Sequence, residues 1–69
     1  MKIEIAEAKI YLAIDMMKTL TGEAPESYIE ALSLGNFYKS EGLTPVYILD
    51  ELTQDLIVTT EENLENRLN

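Results

Sequence analysis

The sequence predicts a small all-α domain. Two observations carry that expectation. Residues 3–20 repeat apolar side chains at helical spacing, and two later segments open on helix-starting residues, Ser27 and the pair Thr44-Pro45. The expected elements are a long helix over 3–20, a helix over 28–40, a third over 45–57 and a short C-terminal helix over 61–68.

The first helix rests on Ile3, Ala6, Ile10, Ala13, Met17 and Leu20, which alternate spacings of three and four. Ile14 widens the stripe on one side, and Leu12 and Met16 widen it on the other. The apolar arc then covers roughly 200° of the helix. Glu4, Glu7, Tyr11, Asp15 and Lys18 fill the rest. One packed neighbour needs less apolar surface than that. Either the rest of the domain covers this helix, or part of the arc is a self-association seam of Ile3, Ala6, Ile10, Ala13, Ile14 and Met17. The two alanines would let a second backbone approach closely. Lys2 and Lys9 fall inside the arc, where they snorkel or pair across a seam.

Gly22 follows Thr21 and suits the left-handed position that ends a helix. Ser27-Tyr28-Ile29-Glu30 has the hydroxyl and carboxylate spacing of a capping box. Gly35 and Asn36 weaken the second helix internally and predict a kink or an early stop. Glu41-Gly42 ends it.

The third segment has two readings. Thr44-Pro45 places a capping hydroxyl before a proline at the first helical position. Leu43 and Ile48 are spaced for a hydrophobic staple. Ile48, Leu49, Leu52, Leu56 and Ile57 then share one helical side, with Asp50, Glu51, Gln54 and Asp55 on the other. The competing reading is an α+β fold with a β-hairpin over 46–59 packed on two helices. Val46–Leu49 and Leu56–Thr59 are rich in strand formers. The turn between them, Asp50 to Asp55, holds no Gly, Asn or Pro. That lack favours the helix. Finally, Thr60 caps a short helix whose Glu61 and Glu62 face its positive end, with Leu64 and Leu68 to dock it and Arg67 in its last turn.

At 69 residues the chain is one domain. It has no cysteine for a disulfide and no histidine, so a zinc site is nearly excluded. Well-packed helices or a partner chain are the stabilising devices left at this size. Thiol and imidazole catalysis are absent for the same reason. Gly22, Gly35 and Gly42 are isolated and form no phosphate loop. The expectation is a non-enzymatic protein without a cofactor. No apolar run approaches a membrane span, and Met1-Lys2-Ile3-Glu4 lacks a signal-peptide pattern, which predicts a cytoplasmic protein.

The formal charge is -8, and the five basic residues are scattered. That balance argues against binding nucleic acid or anionic membranes. It favours a protein partner with a basic surface. The charge is also uneven. Residues 1–39 carry six acids against four bases, and residues 40–69 carry seven acids against Arg67 alone. A helix over 45–57 would gather Asp50, Glu51 and Asp55 on one face. Tyr47, Glu61 and Glu62 complete the expected partner-binding set, since tyrosine suits interfaces. A solvated face that only keeps the chain soluble accounts for the same acids. The stretch lacks the glycine and spacing of a calcium loop.

Two functions follow. One is a small acidic regulator or inhibitor, docking on a basic surface and self-associating as a homodimer through its first helix. Nucleic-acid mimicry of the antitoxin or anti-defence kind is one version of it. The alternative is a structural or accessory subunit in a hetero-complex, whose apolar helix face is completed by a partner.

Overall fold

The computed structural model describes residues 1–68, and the side chains of residues 1–65. The chain runs β1 (Lys2–Ile5), α1 (Glu7–Thr21), α2 (Glu26–Ser40), β2 (Pro45–Asp50), β3 (Asp55–Thr60) and α3 (Glu61–Leu68). The strands form one antiparallel sheet in the order β1-β2-β3. The fold is α+β. The all-α expectation is therefore wrong, and the hairpin reading is the right one.

Two segments account for the difference. Residues 45–57 are not a helix. Val46 to Leu49 and Leu56 to Thr59 pair across the hairpin, with Tyr47 opposite Val58 and Leu49 opposite Leu56. The turn is closed by side chains rather than by glycine. The Leu52 N–H donates to Asp50 Oδ1 at 3.0 Å, and the Asp55 N–H donates to Thr53 Oγ1 at 3.3 Å. Gln54 takes the left-handed conformation, φ 64°, while its Nε2 donates to the Glu51 carbonyl at 2.7 Å. Asx and ST turns of this kind do the work that Gly or Asn does elsewhere.

Nor does the first helix span 3–20. Lys2–Ile5 alternates exposed and half-buried residues, which is strand periodicity. Ile3 pairs with Leu49 and Ile5 with Tyr47. The three-residue step from Ile3 to Ala6 imitates a helical spacing across a strand end. α1 begins at Glu7 and ends on Gly22, whose φ of 83° and N–H bond to the Lys18 carbonyl make the expected left-handed cap.

α2 also departs in detail. Its N-cap is Pro25, and no capping box forms. Ser27 Oγ instead accepts the Leu56 N–H of β3 at 3.3 Å. α2 runs through Gly35 and Asn36 to Ser40, so they do not stop the helix. Gly35 lies flat against the Tyr47 ring, where a Cβ would stand 2.8 Å from Cζ. Thr44-Pro45 opens a strand rather than a helix. Thr60 behaves as expected, its Oγ1 accepting the Asn63 N–H at 3.1 Å at the start of α3. Leu68 and Arg67, expected in docking and charge roles, carry side chains outside the described set.

Both helices pack on one face of the sheet. Ile10 and Ile14 of α1 meet Tyr28, Ala31 and Leu32 of α2 and Tyr47 and Leu56 of the hairpin in one buried cluster. Ile5, Leu49 and Val58 extend it along the inward rows. Alternation sends Val46, Ile48, Ile57 and Thr59 to the opposite face.

Candidate functional site

Past Ile14, α1 has no buried residue. Apolar side chains also line its outward face. Leu12, Met16 and Leu20 are 61%, 56% and 75% exposed. They lie four apart, so they stand in a row along one helix face. Asp15, Lys18 and Thr19, on the same turns, are polar. The row is flanked on both sides. A groove of about 430 Å³ is lined by Met16, Met17, Leu20, Pro25, Tyr28 and Gln54. A second, of about 310 Å³, is lined by Asp15, Met16, Thr19 and Leu20. Met16 and Leu20 border both and so form a ridge between them. A ridge between grooves is the shape another helix packs into.

The expected self-association residues are redistributed. Ile10 is 0% exposed and Ile14 is buried, both within this chain's own core. Ile3 is in β1, and Ala6 is the residue between β1 and α1. Ala13 is half-buried and borders the larger groove with Met17. The outward row is thus Leu12, Met16 and Leu20, and the sequence signal for it was the arc itself. Roughly 200° of apolar surface exceeds what one sheet face covers.

The expected acidic set is also divided. Asp50 and Asp55 face each other across the base of the hairpin, Glu51 lies in the turn, and Glu61 and Glu62 begin α3 at the other end of β3. Asp50 Oδ1 is already engaged by the turn. Glu62 Oε2 lies 3.4 Å from the Thr44 N–H as its acceptor. Tyr47 is not on any acidic surface. It is 3% exposed, and its hydroxyl has no hydrogen-bond partner among the described residues. Burial pushes its phenol above the usual value, with the Glu7 carboxylate adding to that.

Lys39 of α2 donates to both carboxylate oxygens of Glu7 of α1, each at 2.8 Å. The hydrogen bond to Glu7 raises the Lys39 ammonium above its ordinary range. Both side chains are substantially exposed, so the pair steers α1 against α2 more than it stabilises the fold. Neither Lys39 nor Tyr47 borders the α1 grooves. Among the described residues no three acidic side chains converge on a metal-binding geometry, and no helix is long and apolar enough to cross a membrane. The chain matches no protein-family model, no curated protein and no solved structure.

Proposed function

We propose that this chain is a non-enzymatic binding module, an accessory subunit whose α1 row is completed by a partner chain. One observation carries the reading. Leu12, Met16 and Leu20 form an exposed apolar row on the outward face of α1, and Met16 and Leu20 stand as a ridge between two grooves. Burying such side chains contributes roughly 1.5–3 kcal/mol each. Methionine adapts to an irregular partner surface at small cost. The partner packs a helix or an apolar strip along the ridge, and a second copy of the chain is one way to supply it.

A second reading has one observation in its favour. Asp50 and Asp55 are directly opposed across the hairpin, with Lys2 of β1 opposite Asp50 and no cation opposite Asp55 among the described residues. Like charges so placed are destabilising unless a basic surface meets them. In that reading the chain is a regulator docking on a basic, cytoplasmic protein.

Salt separates the two. Tagged protein and its Leu12→Asp/Leu20→Asp variant are used to capture partners, which are washed at low and then high salt. The subunit reading expects a partner that survives high salt and is lost with the variant. A partner retained by the variant and released by salt overturns it, because screening weakens charge pairing and leaves apolar contact intact.

A further inference from the structure

β1 is an edge strand, and the pairing pattern fixes which of its backbone groups are free. The Glu51 N–H donates to the Met1 carbonyl at 3.0 Å, so Met1 and Glu51 form a hydrogen-bonded pair. Alternation then turns the backbone of Ile3 and Ile5 towards β2 and that of Lys2 and Glu4 away from it. Lys2 and Glu4 are exposed, and neither has a backbone partner on that side among the described residues. The opposite edge is covered instead. Leu56 and Thr60 of β3 are each 4% exposed, and the Leu56 N–H donates to Ser27 Oγ.

With β3 covered, β1 of one copy has no edge to meet on the β3 side of the next, and end-to-end stacking is excluded. What remains is β1 against β1, a two-fold pairing that closes at two chains. Three antiparallel registers set free backbone groups opposite free backbone groups. Centred on Lys2, the pairing sets Lys2 opposite the second copy's Lys2. Centred on Glu4, it sets Glu4 opposite the second copy's Glu4. Centred on Ile3, it sets Lys2 opposite the second copy's Glu4 and Glu4 opposite its Lys2. Opposite charges across a pair are stabilising and like charges are destabilising, so the register centred on Ile3 is selected.

The same register satisfies the rest of the edge. It engages every free N–H and C=O of Lys2 and Glu4 in both copies. It also brings Ile3 against Ile3 on the inward face. Ile3 is half-buried and lies outside the core cluster, so the contact covers an apolar side chain that its own chain leaves partly open. Both sets of helices stay on one side of the joined sheet. On the outward face Lys2 stands between Asp50 of its own β2 and the second copy's Glu4. The net charge of -8 opposes association at a distance. The screening length at physiological salt is about 8 Å, which damps that repulsion more than it damps pairs in contact.

We propose that the β1 edge is a homodimer interface, in which two copies pair antiparallel about Ile3 and join their sheets into one. This interface is separate from the α1 row and stands whether or not that row has a partner.

The test is sedimentation equilibrium of the wild-type chain and of a Leu12→Asp/Leu20→Asp background in which the α1 row cannot associate, both at about 0.15 M salt. The expected result in both is a mass that doubles as the concentration rises to about 1 mM, the range of a small interface. Exchange of the Glu4 amide slows about fivefold over the same range. Glu4→Pro removes an outward N–H without breaking a bond to β2, and it abolishes the doubling while the circular dichroism spectrum is retained. Lys2→Glu and Glu4→Lys each abolish it alone. An equimolar mixture of these two variants restores it, because the mixed pair again sets opposite charges across the edge at both positions. A wild-type chain that stays monomeric, doubling that survives Glu4→Pro, doubling lost in the α1 background, or folded charge variants that stay monomeric when mixed overturns the proposal. So does a monomer whose Glu4 amide is protected only with another protein bound, which assigns the edge to a foreign strand.

Discussion

Replacing Gly35 by alanine sets two known effects against each other. In an exposed helix interior alanine gains about 1 kcal/mol over glycine. Here the new methyl would meet Tyr47, standing 2.8 Å from Cζ and 3.0 Å from Cε1 and closer still to the hydroxyl. These separations are well inside ordinary van der Waals contact, so the ring or the helix moves. The ring has no free side. It is 3% exposed and belongs to the cluster with Ile10, Ile14, Leu32 and Leu56. Forcing extra volume into such a core costs about 1–3 kcal/mol. The expected net effect of Gly35→Ala is a loss of up to about 2 kcal/mol. Urea denaturation followed by circular dichroism measures it, as a lower midpoint at unchanged slope.

Tyr47→Phe supplies the control. It deletes a buried hydroxyl that has no partner among the described residues. Such a group costs about 1–3 kcal/mol when left unpaired, so its removal is expected to be neutral or stabilising. It also removes the atom the alanine methyl would press hardest. Gly35→Ala is therefore expected to cost about 1 kcal/mol less in the phenylalanine background, a coupling of the size seen for residues in contact. If Gly35→Ala stabilises the chain by the propensity gain alone, the contact is not there. If the two substitutions are strictly additive, the hydroxyl does not carry the clash. Either result refutes the reasoning.

Two further outcomes rest on single groups. Thr60→Ala removes the hydroxyl that accepts the Asn63 N–H. It is expected to cost about 1 kcal/mol, with Thr60→Ser recovering most of it in the same melt. The alkaline limb of stability follows from Tyr47 and Lys39, whose folded values both lie above their ordinary ones of 10.0 and 10.5. The unfolded chain then sheds these protons first, so stability is full below pH 10.0 and falls as the pH climbs through the folded values. Urea midpoints measured from pH 8 to pH 11 in wild type and Tyr47→Phe are expected to fall less steeply in the variant. Parallel curves would remove Tyr47 from the account.

What could be read in the sequence was local chemistry, and what could not was pairing. Gly22 and Thr60 announced themselves because a left-handed glycine and a capping hydroxyl act within a few residues, whereas the capping box that pointed to the helix over 28–40 does not form. The hairpin was visible in Val46–Leu49 and Leu56–Thr59, but its turn was judged by glycine content. Asp50, Thr53 and Gln54 close it by side-chain bonds and one left-handed residue instead. β1 was hidden for another reason. Four residues cannot separate a period of two from the start of a helix, and only the partners Leu49 and Tyr47 on β2 decide it. Gly35 was read as a helix breaker because its use lies across the core, in the ring of Tyr47.

The exposed row on α1 follows from where it sits around the helix. Leu12 falls about 200° from Ile10 at 3.6 residues per turn, so the row points away from the core that Ile10 and Ile14 enter. Covering explains why Ile10 and Ile14 are apolar, but not why Leu12, Met16 and Leu20 are. The other exposed positions of α1 are Lys9, Asp15, Lys18, Thr19 and Thr21, together with Ala8, Tyr11 and Met17. Leu12, Met16 and Leu20 recur at one spacing on one face, and Met16 and Leu20 stand between two grooves. A net charge of -8 makes copies of the chain repel one another at long range, while the row itself is flanked by both signs, Asp15 and Lys18. On the proposed reading, a neutral-rimmed apolar ridge on a strongly acidic molecule favours apolar contact along that ridge over contact through the charged surface, which is the property an accessory subunit would need.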